Sequence, residues 1–186
     1  MQAVTNETLT LEPLTREHAE EMFDVLADPA IYEYENEPPL SVEWLRSRYA
    51  RLESRWSPDG VNQWLNWAVR LPTQECIGFV QATVYPDRSA SVAYVFSSTH
   101  WGKGLGTHAV REMLFQLESR FFVTSFKAVL KEDNIRSYRL LLRCGFSLAT
   151  PAEHDAQVIP GDEILMTRRN DSARFARNDE MTVMTQ

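Results

Sequence analysis

Three glycines at alternate positions, Gly102, Gly104 and Gly106, stand between a β-like run and a helical pattern. Glycine lets the backbone approach a ligand closely and adopt dihedral angles that other residues avoid. The helical pattern HAVREMLFQLESR begins directly behind them, and the first turn of a helix carries unpaired N–H groups and partial positive charge. This combination is typical of a phosphate site. The segment therefore predicts a phosphorylated cofactor as the ligand.

A second group of polar residues lies further along the chain, where Asn134 and Ser137 fall one helical turn apart. Residues at this spacing face the same side of a helix. Ser137 either contributes its hydroxyl to chemistry or bonds its own helix backbone. Asn134 either contacts a ligand or caps the helix, and Asp133 is the better placed residue for the cap.

The hydrophobic patterns that must position these residues divide into an antiparallel part and a later strand–helix part. Two helices capped by Thr15 and Ser41 precede a change to a period of two, which predicts a meander of three antiparallel strands. A strand–helix–strand–helix unit after the meander indicates an α+β or mixed α/β fold. The predicted strands are Thr8–Leu14, Trp64–Leu71, Cys76–Tyr85, Ser91–Phe96, Ser125–Leu130, Gly145–Ala149 and Asp162–Thr167, and the helices are Thr15–Ala27, Ser41–Trp56, Gly104–Arg120 and Asp133–Arg143.

The length of 186 residues is enough for a single domain with a sizeable core. We predict that this domain occupies residues 1–168. Residues 169–186 form a polar tail with few large apolar side chains, and we expect this tail to be flexible.

Charge and cysteine content narrow the function. The net charge of −7 argues against nucleic acid as a partner, because phosphate backbones are bound through surplus lysine and arginine. Cys76 and Cys144 show no metal-binding spacing and predict reduced packing residues in a cytoplasmic protein, without a metal. No apolar run approaches the ~18 residues of a membrane span, and the N-terminus lacks the pattern of a signal peptide.

Two motifs together resemble the GNAT superfamily of acetyl-CoA-dependent N-acetyltransferases. The first is WGKGLGT at 101–107, and the second is Asn134-x-x-Ser137-x-x-x-Leu141 followed by the CGF segment at 144–146. The resemblance covers nearly the whole chain and is closest to the ribosomal-protein-alanine acetyltransferase branch. It implies a single domain with a twisted central sheet that is splayed in the middle and flanked by helices.

The resemblance also implies a binding site for coenzyme A. In the family, the strand before the loop carries a bulge whose backbone amides pair with the pantetheine arm, and the pyrophosphate lies on the amides of the loop and helix start. An open strand edge and alternating glycines suit those two parts of the cofactor. The residues implied to bind it are Tyr94, Val95, Phe96, Gly102, Lys103, Gly104, Leu105, Gly106, Thr107 and Asn134.

The chain departs from the family pattern at three positions. His108 stands where this branch often has glutamate. Trp101 stands where the family has glutamine or arginine, so a cationic contact from that position is missing. Leu141 stands where many members place a tyrosine that acts as the general acid. Ser137 then becomes the candidate for protonating the leaving thiolate, directly or through water, with Asn134 beside it. A backbone N–H of Val95 or Phe96 is the candidate donor to the thioester oxygen.

The acceptor implied by the resemblance is a primary amine, either a protein N-terminus or a small molecule, that attacks in a ternary complex. Glu35 is our candidate for the catalytic base, although Glu33 and Glu37 lie on the same acceptor-side loop and are alternatives. A homodimer is compatible with this interpretation, but no sequence feature indicates one.

Two other functions compete with an acetyltransferase. The domain can be a non-catalytic acyl-CoA-binding or regulatory module, which the leucine at Leu141 favours. Alternatively, Gly104-x-Gly106-x-x-Ala109 matches a dinucleotide fingerprint and would indicate a nicotinamide enzyme. That motif normally follows its strand at once, whereas here a longer link intervenes, and too few strands remain for a doubly wound sheet.

Overall fold

One mixed β-sheet with helices on both faces forms the described part of the chain. The computed structural model describes residues 1–34, 37–155, 159 and 161–170, so Glu35 and all of the predicted tail after 170 lie outside it. The strand order is β1-β2-β3-β4-β5-β6-β8-β7, and every neighbouring pair is antiparallel except β5 with β6. The strands are β1 (Val4–Thr5), β2 (Thr10–Pro13), β3 (Gln63–Arg70), β4 (Cys76–Val84), β5 (Ser89–Phe96), β6 (Ser125–Lys131), β7 (Ser147–Leu148) and β8 (Glu163–Arg169).

The helices begin and end close to the positions that the sequence predicts. Ser41 caps the second helix by accepting a hydrogen bond from the Trp44 backbone N–H at 3.1 Å, as predicted. That helix ends at Leu52 rather than Trp56. Short 3₁₀ helices at Arg16–His18, Pro29–Glu33 and Ser98–His100 accompany them. The α-helices are α1 (Ala19–Leu26), α2 (Val42–Leu52), α3 (Leu105–Phe121), α4 (Ile135–Arg143) and α5 (Pro151–Asp155).

The sheet is splayed between its two parallel strands, β5 and β6. They pair from Ser89 with Ser125 to Ser91 with Lys127, and no residue after these forms a strand pair between them. Helix α3 connects the two strands, as parallel neighbours require a crossover. The splay that the resemblance implies is therefore present, and it leaves one edge of β5 without a partner strand from Val92 onward.

Two hydrophobic cores, one on each side of the sheet, hold the splay in place. The larger contains Trp67, Met113, Leu117 and Phe126, each at most 2% exposed, and joins the sheet to α3. The smaller joins α1 and α2 to the other side of the sheet through residues such as Met22. Because both cores reach β5 or its flanks, the backbone at the opening is fixed by packing.

The register differs from the expectation in one respect. The pairing of β4 with β5 runs continuously from Gly78–Phe96 to Val84–Ala90, so β5 has no bulge in its pairing with β4. The register shift lies instead between β3 and β4, where Val69 pairs with Gly78 and Arg70 with Cys76. The irregularity is one strand away from the predicted place because Gly78, at φ +149°, accommodates it in β4.

Gly78 fits tightly under the end of β5, which makes it a test of the packing there. An added Cβ would lie 2.1 Å from the Val95 carbonyl oxygen and 2.8 Å from the Phe96 Cα. We expect Gly78→Ala to lower the free energy of unfolding by about 2–3 kcal/mol, because strain and backbone displacement add. Denaturant unfolding measures this effect. Gly161→Ala, where an added Cβ meets nothing within 4 Å, is the control and should change stability by less than about 0.5 kcal/mol. Equal stability of the two variants would contradict the packing described.

Candidate active site

The loop 101–107 presents a row of backbone donors that the protein itself does not use. Within the part of the chain that the structure describes, the N–H groups of residues 102–107 donate to no protein acceptor, and the first bond in this region is from His108 N to Gly104 O at 3.1 Å. Unpaired N–H groups at a helix start are suited to bind a phosphate. These residues are Gly102, Lys103, Gly104, Leu105, Gly106 and Thr107.

The three glycines of the loop serve two different purposes. Gly102 and Gly104 have φ values of +74° and +81°, in the left-handed region that favours glycine. Gly104 is the N-cap of α3, so the helix begins at Leu105. Gly106 has no such angle, but an added Cβ there would lie 3.0 Å from Leu140 Cδ1 and 3.1 Å from Phe96 Cε2. Its small size therefore brings α3 close to β5 and α4.

A cavity of about 720 Å³ opens in front of this loop, and we call it the cofactor cavity. Its wall runs from the loop past the end of β5 to the first turns of α4. The described residues that line it include no carboxylate, although the whole chain carries a net charge of −7. A basic cavity in an acidic protein indicates an anionic ligand. The cationic side chains of the lining are Arg111, Arg136, Arg139 and Arg143, with His100 and His108 beside them.

A cationic side chain, that of Arg136, lies over the uncharged ring at position 101. Trp101 donates from its indole N–H to the Phe96 carbonyl oxygen at 2.9 Å, and its ring packs against both cores. The Arg136 guanidinium lies 4.0 Å from the centre of that ring, a cation–π contact. Glu33 accepts a hydrogen bond from Arg136 Nη2 at 2.8 Å. Trp101 is thus a platform for a cation from α4, a relation that only the fold reveals.

The open edge of β5 presents a backbone donor above the cofactor cavity. The Ser97 N–H donates to the Ile77 carbonyl oxygen at 2.9 Å, which fixes the alternation of hydrogen bonds in the β4–β5 pair. By that alternation the Val95 N–H points toward β4, and the Phe96 N–H points toward the splay. Of the two predicted donors to the thioester oxygen, the geometry therefore favours Phe96.

Two hydroxyl groups meet at the bottom of the splay. The Tyr94 hydroxyl lies 2.7 Å from Ser137 Oγ and 3.3 Å from the Ser137 carbonyl oxygen. The Asn134 side chain accepts a hydrogen bond from the Ser137 N–H at 3.0 Å and is the N-cap of α4. The prediction that Asp133 is the better cap is therefore wrong, because Asp133 stands one position too early. The sequence predicts that Tyr94 binds the cofactor through its backbone, but it gives no sign that the Tyr94 phenol contacts Ser137.

A second cavity of about 570 Å³ opens beside these hydroxyls, and we call it the acceptor cavity after the role that we propose for it. Tyr34, Tyr94, Asn134 and Ser137 line both cavities. Four carboxylates, those of Glu33, Asp133, Asp162 and Glu163, line the acceptor cavity together with one ammonium group, that of Lys131. The two cavities thus carry opposite charge and meet at the same side chains.

Local pairing leaves part of the acceptor cavity's negative charge uncompensated. Lys131 Nζ lies 2.8 Å from Asp162 Oδ2 and 3.1 Å from Glu163 Oε1, so these two carboxylates share one cation. Asp133 has no ion-pair partner among the described residues. The interaction with the Glu33 carboxylate raises the pKa of the Tyr34 phenol above its ordinary value, as expected beside negative charge.

The Asp28 side chain connects the segment after α1 to the segment after β5 by hydrogen bonds, and the sequence did not predict this contact. Its carboxylate accepts a hydrogen bond from the Ser98 N–H at 2.9 Å and from the Ala30 N–H at 3.0 Å. Hydrogen bonding to Ser98, with that to Ala30, holds the pKa of the Asp28 carboxyl below its usual value. One side chain therefore joins the turn that carries Glu33 and Tyr34 to the start of the loop after β5.

The remaining predicted site residues are placed as follows. The Lys103 side chain is exposed and does not line the cofactor cavity, although its backbone N–H is one of the unpaired donors. Leu141 is buried at 1% exposure. Glu35 lies outside the described residues, and Glu37 is exposed and lines neither cavity. The described residues hold no group of three or more His, Cys, Asp or Glu arranged for a metal ion.

Comparisons with known proteins agree on the class. Residues 8–147 match the family described as the acetyltransferase (GNAT) domain. Among curated protein sequences no relative matches this chain. Solved structures with a similar fold include the ribosomal-protein-S5-alanine acetyltransferase of Vibrio fischeri, with 18% identity, a TM-score of 0.73, and coverage of 91% of this chain and 97% of that one.

Two further structures show the range of acceptors on this fold. The ribosomal L7/L12 alpha-N-protein acetyltransferase in complex with coenzyme A is 16% identical, with a TM-score of 0.75 and coverage of 91% and 98%. A spermidine N-acetyltransferase chimera from Vibrio cholerae and a second enzyme is 20% identical, with a TM-score of 0.70 and coverage of 87% and 95%.

The chain belongs to the GNAT acetyltransferase family, whose members transfer an acetyl group from acetyl-CoA to an amino group. The alternative of a nicotinamide enzyme is wrong, because the sheet is a meander joined to one parallel pair and not a doubly wound sheet. In the described part of the chain, no helix is long and apolar enough to cross a membrane.

Gly104 provides a test of the phosphate site. We expect Gly104→Glu to weaken coenzyme A binding by ~100-fold or more, because the new carboxylate would repel the phosphates and the φ of +81° strains any side chain. Isothermal titration with coenzyme A measures the dissociation constant. Gly161→Glu, an equal change of charge at an open position, is the control and should bind normally. Unchanged affinity in Gly104→Glu would refute the placement.

Arg136 provides a test of the platform on Trp101. We expect Arg136→Gln to weaken coenzyme A binding by about tenfold, because the cofactor cavity loses a cation held over Trp101. Arg46→Gln is the matched control, since Arg46 also has a single carboxylate partner, Glu20 at 2.6 Å, but lies outside the cavity. The same titration compares the two, and equal affinities would show that the Arg136 charge does not contribute to coenzyme A binding.

Proposed function

We propose that this chain transfers an acetyl group from acetyl-CoA to a primary amine that carries additional positive charge, by direct attack in a ternary complex. The observation that carries the proposal is the meeting of a basic and an acidic cavity at the Tyr94 and Ser137 hydroxyls. Two ligands of opposite charge can enter from opposite sides and meet there. Holding them together supplies a large part of the rate of a bimolecular reaction.

The residues of the cofactor cavity fit coenzyme A. Unpaired N–H groups of the loop 101–107 and the four arginines suit its phosphates, and the unpaired edge of β5 suits its amide-rich arm. Bound there, acetyl-CoA supplies the activated acetyl group. The Phe96 N–H then stabilises negative charge that develops on the thioester oxygen.

The charge of the acceptor cavity supports a cationic acceptor. Of the four carboxylates, Glu33 pairs with Arg136, and Asp162 and Glu163 share Lys131, so the cavity keeps a net negative charge. That charge favours a polyamine, an aminoglycoside or a basic protein N-terminus over a neutral amine. The attacking nitrogen must lose a proton, and Glu35 stays our predicted base on the segment that follows Glu33. Spermidine and ribosomal proteins are substrates named for two proteins of this fold, which keeps both kinds of acceptor within the proposal.

Turnover with a panel of amines tests the proposal. Thiol release from acetyl-CoA is followed with spermidine, an aminoglycoside, an N-terminal alanine peptide and glycine, and mass spectrometry identifies the acetylated product. We expect the highest kcat/KM for amines with two or more positive charges. Coenzyme A binding without acetylation of any amine would instead support the non-catalytic binding module. The buried Leu141 favours that alternative, because it stands where many family members have a tyrosine acid.

Two further expectations belong to the proposal. Both cysteines are free and buried, which supports a reducing compartment such as the cytoplasm. A homodimer remains an expectation, and light scattering on the purified protein measures the mass that decides it.

Ser137 is our candidate for giving a proton to the leaving thiolate, and removal of its hydroxyl tests this role. We expect Ser137→Ala to lower kcat by about 10- to 100-fold while the dissociation constant of coenzyme A changes less than about twofold. Ser119→Ala is the matched control, because Ser119 Oγ donates to the Phe115 carbonyl oxygen of its own helix at 2.7 Å. Kinetics and titration on both variants measure the split. Equal losses in kcat and affinity for Ser137→Ala would indicate a packing role.

A further inference from the structure

The Tyr94 phenol lies at the meeting point of the two cavities, in direct contact with the Ser137 hydroxyl. It lies 2.7 Å from Ser137 Oγ, on a strand that both cores hold in place. The ring packs beside Phe96, with ring centres 5.9 Å apart. On the other side, the hydrogen bond from the Ser137 N–H to Asn134 fixes the first turn of α4. Both hydroxyls are therefore held by structure on two different elements.

The departing thiolate needs a proton source that the buried Leu141 cannot supply. An aliphatic alcohol such as serine is a very weak acid, whereas a phenol ordinarily titrates at about 10, close to the value of about 8.5 for a thiol. A serine that gives up its proton therefore needs a better acid behind it. In this structure the group within hydrogen-bond distance behind Ser137 is the Tyr94 phenol.

We propose that Tyr94 is the proton source for the leaving thiolate and acts through Ser137. As the amine nitrogen bonds to the acetyl carbon and the carbon–sulfur bond breaks, Ser137 Oγ–H gives its proton to the sulfur. The Tyr94 hydroxyl replaces that proton on Ser137 Oγ, and the proton lost by the amine returns to the phenolate through water in the acceptor cavity. The inference rests on the proposed acetyl transfer, and Tyr94 is a positioning residue and proton reservoir.

The structure contains a second tyrosine–serine pair that serves as a matched control. The Tyr85 hydroxyl lies 3.0 Å from Ser91 Oγ, and neither residue lines either cavity. Tyr85→Phe and Tyr94→Phe therefore remove the same atom from the same kind of pair. One pair lies inside the site and the other outside it.

The first experiment compares these two variants with the wild type on the best amine of the panel. We expect Tyr94→Phe to lower kcat by about 100-fold with coenzyme A affinity within about twofold, and Tyr85→Phe to retain kcat. Tyr94→Phe with Ser137→Ala should be little slower than the slower single variant, because residues that act as a unit are not additive. Wild-type kcat in a folded Tyr94→Phe protein would overturn the relay.

The second experiment changes the acidity of Tyr94 without removing its hydroxyl. Site-specific incorporation of a fluorotyrosine at 94 should move the alkaline limb of the kcat–pH profile to lower pH, by the amount that fluorination lowers the phenol pKa. The substitution leaves every other ionisable group of the two cavities unchanged. These groups are Glu33, Tyr34, Lys131, Asp133, Asp162 and Glu163 on the acceptor side and His100, His108, Arg111, Arg136, Arg139 and Arg143 on the cofactor side. If the alkaline limb of the kcat–pH profile does not move, the relay is overturned. A Tyr94 hydroxyl with a purely structural role would leave that limb unchanged.

These results separate the relay from the proposed function. An active wild type with an unaffected Tyr94→Phe variant overturns the relay and leaves the acetyltransferase intact. A wild type that binds coenzyme A and acetylates no amine overturns both. The fluorotyrosine variant keeps the test decisive if Tyr94→Phe fails to fold, since it preserves the hydrogen bond to Ser137.

Discussion

The separation of β5 from β6 is the constraint on which the rest of this molecule depends. Two parallel strands that pair over three residues and then diverge leave one edge of a central strand without a partner strand among the described residues. Buried backbone groups must find partners, and a ligand with an extended chain of amides can provide them. The same opening lets a second ligand approach from the other side. Fold and function are therefore joined at one place in the sheet, between Ser91 and Phe96.

Positive and negative side chains are segregated around this opening, a pattern that the net charge of the chain does not reveal. The chain is acidic overall, yet the cofactor cavity is lined by arginines, and the carboxylates gather on the acceptor side. Under the proposed function, such segregation steers an anion and a cation to opposite sides of the same hydroxyl pair. Arg136 lies at the boundary between the two sides, where it stacks on Trp101 and donates a hydrogen bond to Glu33. The boundary itself is made of neutral groups, among them Tyr94, Asn134 and Ser137.

The departures from the family pattern become intelligible only in three dimensions. Trp101 lacks a charge, but its ring carries the charge of a residue from another helix. Leu141 lacks a hydroxyl, and the phenol of Tyr94 enters the same neighbourhood from a strand. For both, we propose that a function belonging to one position in the family is met here by a side chain distant in sequence. A pattern read along one chain has no means of showing such an exchange, because it contains no information about which elements pack together.

Periodicity and glycine spacing are local properties of a chain, and for that reason the amino-acid sequence predicted the meander, the glycine loop before α3, the cap at Ser41 and the class of ligand. It placed the cap of α4 one residue early at Asp133 and expected a bulge in β5 that lies instead at the junction of β3 and β4. The tertiary structure alone decided that Tyr94 meets Ser137, that Arg136 covers Trp101 and that Asp28 holds the loop after β5. These contacts join residues that are far apart in the chain, and their geometry follows from the packing of whole elements around the splayed sheet.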